Sequence, residues 1–232
     1  ARVLALLAIA GALVAVVVAR GGASDTAPGP SARAFGAMKQ ALGRASTRRM
    51  LAVYFAAGIA YASVLVSQVP ILTAAGLSLG AAGAIAGLRG FCQIFGRVGL
   101  TGAVDRFGAR AMLRFAYATS AVGVSFLFLG KGLMNTTVAG VVYAIIAGAA
   151  LGATSPLQAM YARTEFDAGD LGLLMGLQGA AVGLSGGLGP LLGGVLHDLT
   201  GSWSPAVLLS ITTLSVAGWL LRSVRPATKG MA

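Results

Sequence analysis

The sequence predicts an all-α fold, a polytopic membrane helix bundle of about seven transmembrane helices. Three observations carry this expectation. Only 10% of the residues are charged and 57% are hydrophobic, whereas a soluble domain has roughly 25% charged residues. Apolar runs of about the 20 residues that cross a bilayer as helix recur along nearly the whole length. The cations, finally, segregate to alternate connections between those runs.

The seven runs are 3–19, 51–72, 81–104, 112–130, 136–157, 171–196 and 204–221. The first follows Arg2 and has the length of a signal-peptide core. It is read as a true span because no small-x-small cleavage pattern precedes a soluble domain and six more spans follow. The chain begins with Ala1 rather than Met, so a truncated or processed N-terminus is expected. Residues 20–50 differ in kind: Gly, Pro and Ser with scattered charge, ending in Arg44, Arg48 and Arg49, predict a flexible basic linker. The remaining connections are short. The expected organisation is one span (1–19), the linker (20–50), a six-helix bundle (51–222) and a tail (223–232). The 35 glycines suit close helix packing in lipid.

Orientation follows from the cations. With the linker cytoplasmic, that side holds Arg20, Arg33, Lys39, Arg44, Arg48, Arg49, Arg106, Arg110, Arg114, Arg163, Arg222, Arg225 and Lys229. The opposite side holds only Arg2 and Lys131. This positive-inside asymmetry predicts an integral protein of a bacterial cytoplasmic (inner) membrane, with its C-terminus in the cytoplasm. It also explains the net charge of +11 without nucleic acid, which is not an expected partner. The lone cysteine, Cys92, lies mid-span and cannot form a disulfide within the chain.

Two charged side chains lie deep in a span, Arg89 and Arg97, with Gln93 midway between them. At ~100° per residue, the i, i+4, i+8 spacing makes one polar stripe. It must face water or protein, because a charge facing lipid costs several kcal/mol. The stripe either lines a cavity that attracts an anionic solute or pairs structurally near the cytoplasmic end. In the preceding span Tyr54, Tyr61 and Gln68 recur every seven residues and share a face. Tyr61 and Gln68 are candidate solute contacts, while Tyr54 lies where interfacial anchors are common. Tyr143 and Gln178 are further candidates, each with an ordinary packing alternative. Gly183, Gly186, Gly187, Gly189, Gly193 and Gly194 surround Pro190, and would serve a bending gate helix or static tight packing equally well. His197, beside Asp198 at the outer end of its span, reads as a loop or interface residue.

No Asp or Glu lies deep in any span, so a proton-coupling carboxylate must lie elsewhere. There is no phosphate-binding loop, no metal-spaced His/Cys cluster and no nucleophile elbow. No cofactor, metal or enzymatic activity is expected.

Between the runs 81–104 and 112–130 the chain reads Thr101-Gly102-Ala103-Val104-Asp105-Arg106-Phe107-Gly108-Ala109-Arg110. This resembles the loop motif of the major facilitator superfamily of secondary transporters, roughly Gly-x-x-x-Asp-Arg-x-Gly-Arg-Arg. Asp105, Arg106, Gly108 and Arg110 match; Thr101 stands at the first glycine with Gly102 beside it, and Ala109 replaces an arginine. These departures resemble the looser copy in the family's C-terminal half. The stretch from Gly189-Pro190 through Gly193, Asp198 and Thr200-Gly201-Ser202 is similar to the family's junction of helices 11 and 12. The basic linker resembles its central cytoplasmic loop.

The resemblance implies that the chain corresponds to helix 6, the central loop and helices 7–12, about half of a facilitator fold. It implies a gating or packing role for Gly102, Asp105, Arg106, Gly108 and Arg110. It also implies transport of a small solute by alternating access, with the bilayer and either a missing N-terminal half or a second copy as partners. Arg97, eight residues before the motif Asp, is similar to a substrate-carboxylate arginine of monocarboxylate- and oxalate-type porters, which points to an organic anion. The alternatives are a non-transporting receptor or scaffold and a half-size transporter acting as a dimer. A polar stripe in a central cavity favours transport; a stripe paired with loop carboxylates in a dry bundle favours a scaffold.

Overall fold

The computed structural model describes residues 31–129, 134–165 and 171–223. The expected span 3–19, most of the linker's first half, Lys131 and the tail beyond 223 lie outside them. The chain divides into a unit of residues 1–40 and one of residues 41–232. Within the stretch expected to be a flexible linker, Ser31–Gly43 forms a helix, α1. Its sequence after the Gly/Pro-rich segment is rich in Ala and straight-chain residues, which favour helix.

Six helices long and apolar enough to cross a membrane follow, and every strand-free described segment is accounted for by helix or short turn. They are α2 (Ala45–Ala74), α3 (Leu79–Gly102), α5 (Ala109–Leu129), α6 (Thr136–Glu165), α7 (Leu171–Thr200) and α8 (Ser204–Ser223). A single turn, α4 (Val104–Phe107), joins α3 to α5. The six expected spans from residue 51 onward are all present, but α2 and α6 extend well beyond their expected ends. Thirty residues rise about 45 Å against a hydrocarbon core of about 30 Å, so α2, α6 and α7 tilt or protrude. Pro70, Pro156 and Pro190 stand inside these three helices without ending them. Prolines are tolerated within membrane helices because neighbouring helices, side chains and local adjustments can re-satisfy the freed backbone groups.

The turns are set by local chemistry. Ser78 caps α3 by accepting from the Ala81 amide at 3.3 Å, and Asn135 caps α6 by accepting from the Thr137 amide at 2.9 Å. Gly108 has φ +80° and ψ 147°, a region essentially confined to glycine, and its amide closes α4 on the Val104 carbonyl. Gly201, at φ +65°, turns α7 into α8, and the Thr200 hydroxyl accepts from the Ser202 amide.

Packing runs α3–α6–α5–α8–α2–α7, so that α3 and α7 are the two ends of the series. Small residues set the closest approaches. A Cβ on Gly96 would collide with the Ala149 backbone, and one on Gly152 with the Gln93 backbone, which locks α3 onto α6. A Cβ on Gly58 would strike the Ser185 hydroxyl, and one on Gly189 would come 2.5 Å from the Ile59 carbonyl, which locks α2 onto α7. The core between the helices holds Met50, Tyr54, Leu113, Tyr117, Tyr143, Leu157, Leu174 and Leu221.

Candidate functional site

The expected stripe on α3 faces protein. Arg89 stands at the midpoint of the helix, is 6% exposed, and has no hydrogen-bond partner at Nε among the described residues. A cation at that depth costs about 2.5–3.5 kcal/mol on insertion scales, so its position demands a compensating group. The Tyr143 hydroxyl lies within electrostatic reach of its charge. Tyr143 in turn donates to Gln68 Oε1 at 3.1 Å, and Gln68 Nε2 donates to the Leu65 carbonyl at 3.0 Å. Three of the expected site residues, Arg89, Tyr143 and Gln68, therefore form one buried group contributed by α3, α6 and α2.

The rest of the stripe behaves differently. Gln93 is half-buried against Gly152 of α6, and Arg97 is exposed near the arginine-rich end, with Nε donating to the Gly152 carbonyl at 3.3 Å. Among the described residues the partner of Arg97 is thus a backbone carbonyl of α6.

A second polar group centres on Gln158, which the expected span 136–157 left just outside. Its Nε2 donates to the Tyr117 hydroxyl at 2.8 Å, and its Oε1 accepts from Gln178 Nε2 at 3.1 Å. Its backbone carbonyl accepts from the Tyr54 hydroxyl at 2.9 Å. Tyr54 is fully buried among the helices of the bundle. This group borders a cavity of about 390 Å³ where α6 and α7 diverge in front of α2. Its polar lining consists of Tyr54, Tyr61, Thr154, Ser155, Gln158 and Gln178. Two lining atoms lack a hydrogen-bond partner among the described residues, the Tyr61 hydroxyl and Gln178 Oε1. The Tyr61 hydroxyl lies beside those of Thr154 and Ser120 but aligns with neither.

The two groups share one seam. Tyr143 and Thr154 are three turns apart on a single face of α6, as Tyr61 and Gln68 are two turns apart on α2. The separation along α6 is about 16 Å.

The loop motif forms the α3–α4–α5 joint. Gly108 supplies the backbone that no other residue adopts readily, Asp105 and Arg106 are exposed, and the Arg106 guanidinium lies 5.3 Å over the Phe107 ring. Gly102, exposed, ends α3, and Arg110 opens α5. At the end of α7 next to α8, His197 stacks on Trp203 with ring centroids 4.0 Å apart. Among the described residues no group of His, Cys, Asp and Glu could hold a metal.

A bundle of membrane-length helices joined by a glycine-dependent Asp-Arg turn, with a polar seam at its centre, defines a polytopic membrane transport protein. The family model described as Major Facilitator Superfamily matches residues 50–231, and the chain belongs to that family. No curated protein matches the chain. Membership makes it a secondary transporter of small solutes and an integral membrane protein.

Proposed function

We propose that the chain carries a small organic anion by alternating access, and that it does so paired with a second six-helix unit. Arg89 supports the first half of this reading. A cation kept at the centre of a membrane helix, with its Nε unpaired, is expensive unless an anion periodically neutralises it. The carboxylate would bind Arg89, with the Tyr143 hydroxyl and Gln68 fixing its orientation. The cavity lined by Tyr61, Gln158 and Gln178 is then a second, neutral station on the same seam, where an uncharged part of the solute is held by hydrogen bonds. Gln93 and Arg97 would continue the path toward the arginine-rich end. That end is the cytoplasmic one on the positive-inside count, and the membrane is then a bacterial inner membrane.

The second half rests on α3 and α7. They are the least covered membrane helices, and Phe91, Ile94, Phe95, Leu184, Leu191 and Val195 stand exposed along them. Among the described residues nothing would touch a Cβ on Gly183, Gly186, Gly187 or Gly194, so their bare backbone is unused by the described helices. Close-packing glycines with nothing packed on them suit docking by another pair of helices. In this family's scheme the solute site lies between two such units that rock against each other. A missing N-terminal half or a second copy of the chain would meet the same faces.

Reconstitution tests the pairing. Vesicles holding this chain alone should show no saturable uptake of small carboxylates, whereas vesicles in which it is joined to a complementary six-helix unit should. Saturable uptake by the monomeric chain alone would overturn the pairing.

A further inference from the structure

A second concavity lies away from the polar seam, on the face shared by α5 and α8, with a volume of about 700 Å³. Ala118 and Gly218 form its floor, and Phe115 and Trp219, 52% and 62% exposed, stand as its walls. Two arginines, Arg114 and Arg222, line it as well. The helices are antiparallel neighbours, and a Cβ on Gly218 would lie 3.9 Å from the Cβ of Tyr117. That register sets Arg114 level with Arg222, so both cations stand at the same end of an otherwise apolar groove.

Apolar walls alone distinguish nothing in a bilayer, because lipid tails are as apolar as the groove. The two guanidiniums do distinguish. Arg114 lies about 7 Å below the start of α5, a depth from which its side chain extends to the headgroup level, as long cationic side chains do. We propose that this groove binds one anionic phospholipid, its phosphate held between Arg114 and Arg222 and one acyl chain laid between Phe115 and Trp219. The occupant is anionic because two level cations would otherwise face each other across a neutral surface. Each such arginine contributes about a fivefold preference for anionic over zwitterionic headgroups. This site is independent of the solute site, since none of its residues belongs to the α2–α6 seam.

Trp219 makes the proposal measurable. In the full chain with Trp203→Phe, which leaves Trp219 as the one tryptophan, fluorescence is quenched by phospholipids brominated on their acyl chains. Brominated phosphatidylglycerol should quench at a mole fraction about 25-fold lower than brominated phosphatidylcholine, a factor of about five for each arginine. The preference should fall about fivefold in Arg114→Gln or Arg222→Gln, vanish in the double variant, and persist in the corresponding lysine variants. Equal quenching by the two lipids in the unmodified groove would overturn the proposal, and that comparison needs no arginine variant to fold. An undiminished preference in the double glutamine variant would also overturn it. So would protection of Trp219 from both lipids, the result expected if a second copy of the chain covers the groove.

Discussion

Arg89 and Gln158 illustrate how differently two buried polar residues can be used. Among the described residues Arg89 Nε has no hydrogen-bond partner, whereas Gln158 has its amide engaged on both sides. Replacing Arg89 by Gln removes a buried charge, so the variant should melt no lower than the parent while losing its anion ligand. A hydrogen bond to a charged group contributes about 1.5–3 kcal/mol, so half-saturation for a carboxylate should rise at least about tenfold. Binding titration against a thermal melt separates the two effects. Gln158→Leu should do the reverse of this for stability. It breaks the links to Tyr117 and Gln178, each worth about 0.6 kcal/mol inside a membrane protein, and a chemical melt should register a loss of about 1 kcal/mol. The Tyr54 link survives, because it ends on the Gln158 backbone.

At the scale of helices the glycines divide into two sets that the sequence alone could not separate. Those of α7 fall on all sides of the helix, and only the neighbours decide which of them touch α2. Gly189 and Gly193 do, whereas Gly183, Gly186, Gly187 and Gly194 meet nothing. Gly96→Leu should force α3 from α6 and cost about 1–3 kcal/mol of stability, measured by denaturant titration. Gly186→Leu should leave that stability unchanged and reduce transport, because it alters only the uncovered face. At the α4–α5 joint, Gly108→Ala should cost about 1–3 kcal/mol through its φ of +80°.

The elements themselves were legible in the sequence, since membrane spans follow from apolar length, and the six expected spans of the bundle correspond to α2, α3, α5, α6, α7 and α8. The hub residue Gln158 was not legible, because α6 continues through Pro156 and the apolar run does not. Arg89, Tyr143 and Gln68 were each singled out by polarity within apolar spans. Their assembly into one group depends on helix neighbours 75 residues apart in sequence, which periodicity does not reveal.

On the scale of the molecule, the six helices make a series whose two ends, α3 and α7, carry open glycines and exposed apolar side chains. The chain belongs to a family of secondary transporters, and the polar seam is the path proposed for its solute. The central claim is that Arg89 makes the carried solute an anion. Its most direct test is uptake by vesicles that contain this chain joined to a second six-helix unit. Labelled small carboxylates are compared with a neutral solute of equal size, in the parent and in Arg89→Gln. The account predicts saturable carboxylate uptake that is lost in Arg89→Gln, with no uptake of the neutral solute. Carboxylate uptake undiminished in Arg89→Gln, or saturable uptake of the neutral solute alone, would contradict it.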